Sequence, residues 1–541
     1  MAIIDQVAID PARTVLNQPP PLEGVDLFAL DLALQEGLTR EGGAWGLQDA
    51  HEAGSVAGSA QARAHARRAE RNEPRLETHD RYGNRIDEVE LDPSWHWLLG
   101  GAVARAVHSL PWQLGARPGA HVVRAALFMI WSGIDAGVMC PVSMTYAAVP
   151  ALRDGAPALA ARWEPVLTGT DYGTVGLAGM AMTERQGGSD VRANITRAEP
   201  DLDGDWTLWG HKWFCSYPPC RVFLTLAQTD AHPTHPSCFL VERGEGMEFQ
   251  RLKDKLGTRS LPSSEVEFHG ARASLVGEPG RGVAAIIRMV NHTRLDCLLG
   301  STQSLRRGTV EAIHHAVHRR AFGAPLVEHP AMVNVLADLA LESEAATAAA
   351  LRVARSYDDP GEAPFRRMAT AVMKYWVTKR APAHAAEALE CLGGNGFVED
   401  SGMPVLLRDS PLNSIWEGSG NVAALDVLRA IGREPEGTAA FLAECDAAKG
   451  ADRRLDAHLD ALRDRLGRLA SVAAEDAQFA VRGLVEDLAL ALQGSLLVRH
   501  APAAVADGFC AARLEGRAGR VYGTLPAGVD GRAIVARAYP L

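Results

Sequence analysis

Three short segments of this 541-residue chain carry residue types that could do chemistry together. The first is Met182-Thr183-Glu184-Arg185-Gln186-Gly187-Gly188-Ser189-Asp190. Its two glycines let backbone N–H groups close on a phosphate, and Thr183 and Ser189 add hydroxyl donors. A plain polar turn has the same composition. The second is Gly210-His211-Lys212-Trp213-Phe214-Cys215-Ser216. Its aromatic pair, followed by Cys215 and the small hydroxyl of Ser216, suits the face and polar edge of a flat heterocycle such as an isoalloxazine, and suits a strand core equally. The third is Asn413-Ser414-Ile415-Trp416-Glu417-Gly418-Ser419-Gly420-Asn421, at the start of an apolar-periodic helix whose first N–H groups attract an anion. Glu417, beside Ile415 and Trp416, is either a general base in a narrow slot or an acidic neighbour of a helix cap. Gly418, Gly420 and Ala423 match G-x-G-x-x-A, but no strand precedes them, so a dinucleotide fold is set aside.

The elements that must position these segments change in texture along the chain. After Pro19-Pro20-Pro21, which holds an extended arm from Asn17 to Asp31, the spacing is helical to about Pro165. Breaks fall at Gly42-Gly43, Pro74, Asp80 to Gly83, and Pro118-Gly119. Between about Gly176 and Val276 come short β-favouring runs at 206–209, 222–226, 238–241 and 265–268. Asp203-Gly204, His232-Pro233 and Gly244-Glu245-Gly246 separate them and predict antiparallel turns. Five helices are then predicted at 283–300, 305–321, 332–357, 364–392 and 421–431. A further helical block follows, ending in an Arg-containing tail read as a separate appendage. The expected architecture is mainly α with an inserted antiparallel β-domain. Its domains are an arm and helical domain (1–175), a β-domain (176–276), a helical bundle (277–435) and a C-terminal helical domain (436–541).

Length predicts several packed units, and 22% charged with 47% hydrophobic residues is the balance of a folded chain. A net charge of −11 argues against a protein that coats nucleic acid over its whole surface, while leaving room for a local basic face. No apolar run reaches membrane-span length, and residues 1–22 lack a signal-peptide pattern. Eight scattered cysteines without C-x-x-C or zinc spacing fit a reducing cytoplasm. Glu311, His314 and His318 have helical ligand spacing but no further ligand set, so no metal is expected. Arg63, Arg67, Arg68, Arg71 and Arg75 alternate with Glu70, Glu73 and Glu77 and read as an exposed helix face.

The order and spacing of the three segments resemble the acyl-CoA dehydrogenase family. Arg319, Phe322, Gly323 and Leu326 resemble its R-x-x-F-G-x-x-L motif, and Leu392-Gly393-Gly394-Asn395-Gly396 resembles its G-G-x-G motif. The flanks, among them Asn17-Gln18-Pro19-Pro20-Pro21-Leu22, Cys140-Pro141-Val142-Ser143-Met144-Thr145 and the extension after 435, are similar to its AidB branch. The resemblance implies FAD, contacted by Met182, Thr183, Gly188 and Ser189, by Trp213, Phe214, Cys215 and Ser216, and by Ile415, Trp416, Gly418, Ser419, Gly420 and Asn421. It also implies that Arg319, Phe322, Gly393 and Gly394 reach the FAD of a neighbouring subunit in a homotetramer. Of the family's two positions for a catalytic glutamate, one is Thr293 here, which leaves Glu417 to take an acyl-CoA α-proton. The branch further implies weak dehydrogenase activity, binding of double-stranded DNA through the C-terminal domain, and protection against alkylation. Arg429, Arg513, Arg517 and Arg520 are the expected phosphate contacts, against ordinary ion-paired arginines. A metabolic acyl-CoA dehydrogenase for a short or branched acyl-CoA, without DNA binding, is the alternative.

Overall fold

A computed structural model describes residues 13–202 and 204–540. The first twelve residues of the stretch read for a signal peptide lie outside these, as does Asp203 of the expected Asp203-Gly204 turn. The chain opens with an arm whose Asn17 bonds Arg320 through both its amide oxygen and its amide nitrogen (2.8 Å each). Helices α1 (Leu32–Leu38), α2 (Leu47–Ala57) and α3 (Ala60–Arg71) follow. Ser59 starts α3 as its N-cap, the hydroxyl accepting from the Ala62 N–H at 3.1 Å. Ser59→Ala is expected to lower stability by about 1 kcal/mol, read as a shift in the denaturation midpoint.

The helical reading of residues 31–165 misses a hairpin, β1 (Arg75–His79) and β2 (Arg85–Glu90). The break at Asp80 to Gly83 is its turn, closed by the Asp80 carboxylate on the N–H groups of Tyr82 and Asn84. Then come α4 (Pro93–Ala104), α5 (Leu110–Leu114), α6 (Ala120–Ser132), α7 (Met139–Gly155) and α8 (Pro157–Leu167). Every residue of α6 from Ala120 to Trp131 is buried, as expected of a helix that other elements surround. Its Arg124 is fully buried, paired with Asp296 and 3.8 Å from the Tyr146 ring centroid.

The β-domain is a seven-stranded sheet of β3 (Ala178–Ala181), β4 (Arg197–Pro200), β5 (Trp206–Ser216), β6 (Val222–Thr229), β7 (His232–Glu242), β8 (Met247–Leu252) and β9 (Ser263–Val276). Its pairing order β3-β6-β4-β5-β9-β7 closes on itself through β6–β7, and β8 adds to β9. The predicted runs fall in β5, β6, β7 and β9. Pairing is antiparallel except for β3 and β4 against β6. His232-Pro233, read as a turn, instead begins β7, where a proline withholds only a terminal donor.

The bundle after it holds α9 (Gly282–His318), the short strands β10 (Arg320–Ala321) and β11 (Ala324–Pro325), α10 (Pro330–Arg355), α11 (Ala363–Cys391), α12 (Met403–Asp409) and α13 (Gly420–Arg433). Two predicted helices are one: α9 runs through Gly300, where a Cβ would meet Asn413 Nδ2 at 3.2 Å. The glycine serves a close approach, not a break.

The C-terminal part holds α14 (Pro435–Asp446), α15 (Arg453–Arg468), α16 (Ala474–His500), α17 (Ala503–Phe509) and α18 (Gly531–Ala538). It is no separate appendage. α16 and α18 pack on α10, Arg306 donates to the Ala538 carbonyl, and the Tyr539 hydroxyl meets His314 Nδ1 at 2.7 Å. Among the described residues no helix is long and apolar enough to cross a membrane.

Candidate active site

Glu417 sits in the tight passage between α12 and α13 with left-handed backbone, φ +57°, a conformation that costs a non-glycine residue energy and survives only where surroundings impose it. Two buried cations do so. Lys374 on α11 donates to the carbonyls of Trp416 (3.0 Å) and Gly418 (2.5 Å), and Arg294 on α9 donates to that of Glu417 (3.0 Å). Arg294 is held in turn by Asp426 on α13 at 2.8 Å. Gly418 follows at φ +97°, which leaves room for Arg294 Nη2 3.3 Å from where a Cβ would stand. Sequence reasoning missed both cations, since Lys374 lies mid-helix with no motif around it.

The Glu417 carboxyl is enclosed, and its Oε2 is buried with no hydrogen-bond partner among the described residues. Burial pushes its pKa up, while a hydrogen bond with the Thr293 hydroxyl and the charges of Lys374 and Arg294 pull it part of the way back. Thr293, the family's other glutamate position, thus supports Glu417. Beside them Cys140 on α7 has its thiol pushed up to about 12 by burial and by the Glu417 charge, with Ser216 hydrogen-bonding it. This thiol links the Glu417 passage to the end of β5.

On β5 the alternation of sides fails at a register shift between Lys212 and Cys215. Such a bulge re-aims side chains, so both Trp213 and Phe214 face outward. Phe214 is 47% exposed, and Lys253 Nζ lies 3.2 Å from the Trp213 ring centroid. The strand-core reading of the two aromatics therefore fails. Cys215 does turn into the core, so any ligand contact at this position comes from its backbone and not from its side chain. Ser216 stands at the strand end, 3.0 Å from the Ser263 hydroxyl.

The Met182–Asp190 loop is docked on β5 by the Trp213 N–H, which donates to the Thr183 carbonyl at 2.7 Å. Glu184, fully buried, closes the loop through Lys212 (2.8 Å), the Thr196 hydroxyl (2.6 Å) and the Ile195 N–H (2.7 Å). Gly188 packs so tightly that a Cβ would lie 2.3 Å from Thr183 Oγ1. Ser189 is exposed at the rim. The loop is thus held by a buried carboxylate and by close packing of Gly188 on Thr183.

At the start of α13, Ser419 is the N-cap residue but its side chain makes no capping bond. Asn421 accepts from Arg482 of α16 at 2.9 Å, a polar tie between this segment and the C-terminal part. Ile415 is 60% exposed, and the Trp416 indole donates to Asn413 (2.9 Å).

The remaining pair of motifs lies elsewhere. Arg319 and Thr293 are both on the line of α9, 26 residues apart, which at 1.5 Å per residue is roughly 39 Å. Phe322 is 97% exposed with φ +49°, and Gly393 and Gly394 have nothing within 4 Å of where a Cβ would be. The arm covers this corner: Arg319 donates to the Asn17 carbonyl (2.6 Å), and Asn395 donates to the Gln18 side chain (2.9 Å).

Of the arginines expected to meet phosphate, Arg513 is a correction. It is paired with Asp338 and Glu342 (3.3 Å) and its side chain is only 12% exposed, because the tail folds back on α10. Arg429 pairs with Asp426 at 3.3 Å yet stays 58% exposed, Arg517 pairs with Glu515 at the surface, and Arg520 is exposed. The Arg63–Arg75 stretch is also not a simple exposed face. Arg63 pairs with Glu311 at 2.7 Å, and Glu70 turns inward. His314 is bonded to the Pro20 carbonyl (2.8 Å) and to Tyr539.

Three family models together match most of the chain: the adaptive response protein AidB N-terminal domain at residues 17–174, the acyl-CoA dehydrogenase middle domain at 179–271, and the acyl-CoA dehydrogenase C-terminal domain at 280–432. The chain is 40% identical over 526 residues to the putative acyl-CoA dehydrogenase AidB of Escherichia coli, covering 94% of this chain and 95% of that one. Its structure is similar to that of Caenorhabditis elegans ACDH-11 in complex with C11-CoA, with TM-score 0.83, 28% identity, and 93% and 92% of the two chains covered. It also shares its fold with an acyl-CoA dehydrogenase complexed with FAD from Bacillus anthracis, at TM-score 0.64 and 18% identity, covering 89% and 91%.

Proposed function

Because the chain belongs to the acyl-CoA dehydrogenase family, in its AidB branch, we propose that it oxidises an acyl thioester with Glu417 as the base that removes the α-proton. The observation that carries this reading is the buried, unpartnered Glu417 Oε2 on a backbone that Lys374 and Arg294 pin in place. A free acceptor held in a dry slot is what a general base needs. FAD, the family's cofactor, supplies when bound the acceptor for the hydride that leaves the β-carbon.

The residues present fit that group. The Thr183–Gly188 cradle with Met182 and Ser189 would take phosphate and ring-edge oxygens, and the outward plate of Trp213 and Phe214, with the Cys215 backbone and Ser216, would take the ring. Ile415, Trp416, Gly418 and the open turn Ser419-Gly420-Asn421 would complete it, the latter with N–H groups suited to an anion. In the reaction Glu417 takes the α-proton onto its carboxylate, a C=C bond forms between the α- and β-carbons, and the surrounding burial keeps water from the carbanionic centre. Arg294 and Lys374 hold the passage still throughout.

The separation of roughly 39 Å along α9 between Arg319 and Thr293 supports a homotetramer in which Arg319, Phe322, Gly393 and Gly394 serve a neighbour's FAD. Sedimentation should give four chains, and Phe322→Ser should release FAD without touching the Glu417 passage.

The AidB branch also supports binding of double-stranded DNA and protection against alkylation, through the exposed Arg429, Arg517 and Arg520. Anisotropy with duplex DNA tests it. Affinity should fall with salt by about 0.9 log units per log unit for each phosphate contacted, and the triple alanine variant should flatten that slope by about 2 to 3. Binding that is absent at low salt, together with flavin bleaching by a short or branched acyl-CoA, would favour the metabolic alternative. Because the tail is stitched to α9 and α10, point variants are the sound test and deletion of residues 436–541 is not.

A further inference from the structure

A cavity of about 160 Å³ lies between α3, the loop after α6, α9 and the turn around α12. It meets the Glu417 passage at Asn413, whose Oδ1 accepts from Trp416 Nε1 and whose Nδ2 donates to Ser301 at 3.1 Å. Along α9 the residues Gly300, Gln303, Ser304 and Arg307 stand at i, i+3, i+4 and i+7, so they form one stripe on the chamber wall.

This stripe is a row of unanswered donors. Gln303 is 8% exposed, and its carboxamide has no hydrogen-bond partner among the described residues. The Ser304 hydroxyl is buried without one. Arg307 lines the same chamber with no carboxylate within 4.0 Å and no hydrogen bond among the described residues. A guanidinium left so is costly unless something answers it.

Among the described residues none of the chamber's carboxyls forms an ion pair or a hydrogen bond with it. Asp135 accepts from Ser260 Oγ (3.1 Å) and the Val138 N–H (3.0 Å), and Asp409 accepts from the Thr258 N–H (2.6 Å). Glu70 accepts from the Ser260 N–H at 3.3 Å. Burial, with repulsion from neighbouring carboxyls, pushes Glu70 up to about 8 and Asp409 up to about 7, while the Arg307 charge draws Asp409 and Asp135 part of the way back. At the mouth, Arg63 and Arg71 are already paired with Glu311 and Asp400. Arg307 faces carboxyl charge from Glu311, Asp409 and Asp135 but keeps its donors free for a bidentate partner, and Arg67, the other lining arginine without an ion pair among the described residues, is exposed.

We propose that this chamber binds a carboxylate, clamped by Arg307 with Gln303 and Ser304 donating to its oxygens. Two sources share that chemistry: a free small carboxylic acid, or the far carboxylate of a dicarboxylic acyl thioester whose reacting end lies at Glu417. The second rests on the dehydrogenase reading. Thr293 and Gln303 are ten residues apart on α9, roughly 15 Å, so the chain between the two carbonyl ends would be a long one.

Two measurements on the FAD-loaded protein decide it. Calorimetric titration with glutarate should show saturable binding, weakened on the order of tenfold or more by Arg307→Met and by the near-isosteric Gln303→Leu, with Arg307→Lys in between. Sebacoyl-CoA should bind more tightly than decanoyl-CoA by a similar factor, and the preference should vanish in Arg307→Met. Glutarate binding alone assigns the chamber to a free acid, and the CoA preference assigns it to the acyl terminus. If neither exceeds the Arg307→Met values, or if cadaverine binds in place of glutarate, the proposal falls. Should no acyl-CoA bleach the flavin, the dehydrogenase reading fails while the glutarate titration still decides the chamber.

Discussion

Glu417→Gln is expected to cut the rate of flavin reduction by an acyl-CoA by a factor of about 10²–10⁴, with FAD still bound. The substitution keeps the shape of the side chain, and the three bonds that pin residues 416–418 all go to backbone carbonyls, so the passage keeps its form. What is lost is an acceptor for the α-proton. The pH dependence provides a second reading of the same group. Since burial raises the Glu417 pKa in the folded protein, the base ionises at higher pH than an ordinary carboxylate does. The rate should therefore rise with pH along a limb displaced upward from 4.5, and fall as the carboxyl takes a proton below it. Thr293→Val removes a hydrogen bond that favours the ionised form and should move that limb higher still. Stopped-flow bleaching across pH checks both, and a Glu417→Gln protein that bleaches at the wild-type rate would remove Glu417 from the chemistry.

The parts of this molecule that are legible in sequence are those whose signal is local. The Glu417 segment, the Met182–Asp190 loop and the β-rich middle declare themselves through residue type and spacing over a few positions. What is not legible depends on distant partners. Nothing near Lys374 says that it will meet carbonyls 42 and 44 residues on. Arg513 looks like a surface cation until the fold places Asp338 and Glu342 against it. Gly300 reads as a break because composition cannot distinguish a glycine that ends a helix from one that admits Asn413. The outward turn of both Trp213 and Phe214 requires a bulge, which is a property of two strands together. The hairpin at 75–90 escapes for a similar reason, since its charged, partly exposed strands lack an apolar face and pair mainly with each other.

The same long-range logic gives the largest expected loss of stability, from Lys212→Met. Lys212 and Glu184 are both fully buried, and the ammonium also donates to the Leu226 carbonyl at 2.8 Å. One pair therefore ties β5, β6 and the Met182–Asp190 loop together. Burial alone would raise the Glu184 pKa, but the Lys212 charge and the bonds from Ile195, Lys212 and Thr196 outweigh it and hold the carboxyl down to about 2. Removing the lysine leaves a charge in the core without its partner, at a cost of about 3–5 kcal/mol. Because Thr183 and Gly188 flank Glu184, the loop should loosen as well, so FAD should be lost more readily than from the Glu417→Gln protein. The wild-type pair carries its own pH signature. A carboxyl whose folded pKa is depressed contributes stability that is present above 4.5 and lost as pH falls toward 2, and the Lys212→Met protein should lack that slope. The double variant Glu184→Gln/Lys212→Met separates charge from packing. If the cost is an unpaired buried charge, the second substitution restores most of the midpoint and of the FAD content. If the double variant is as unstable as the single one, the pair matters for its shape and hydrogen bonds, and the loop is held by packing of Gly188 on Thr183 instead.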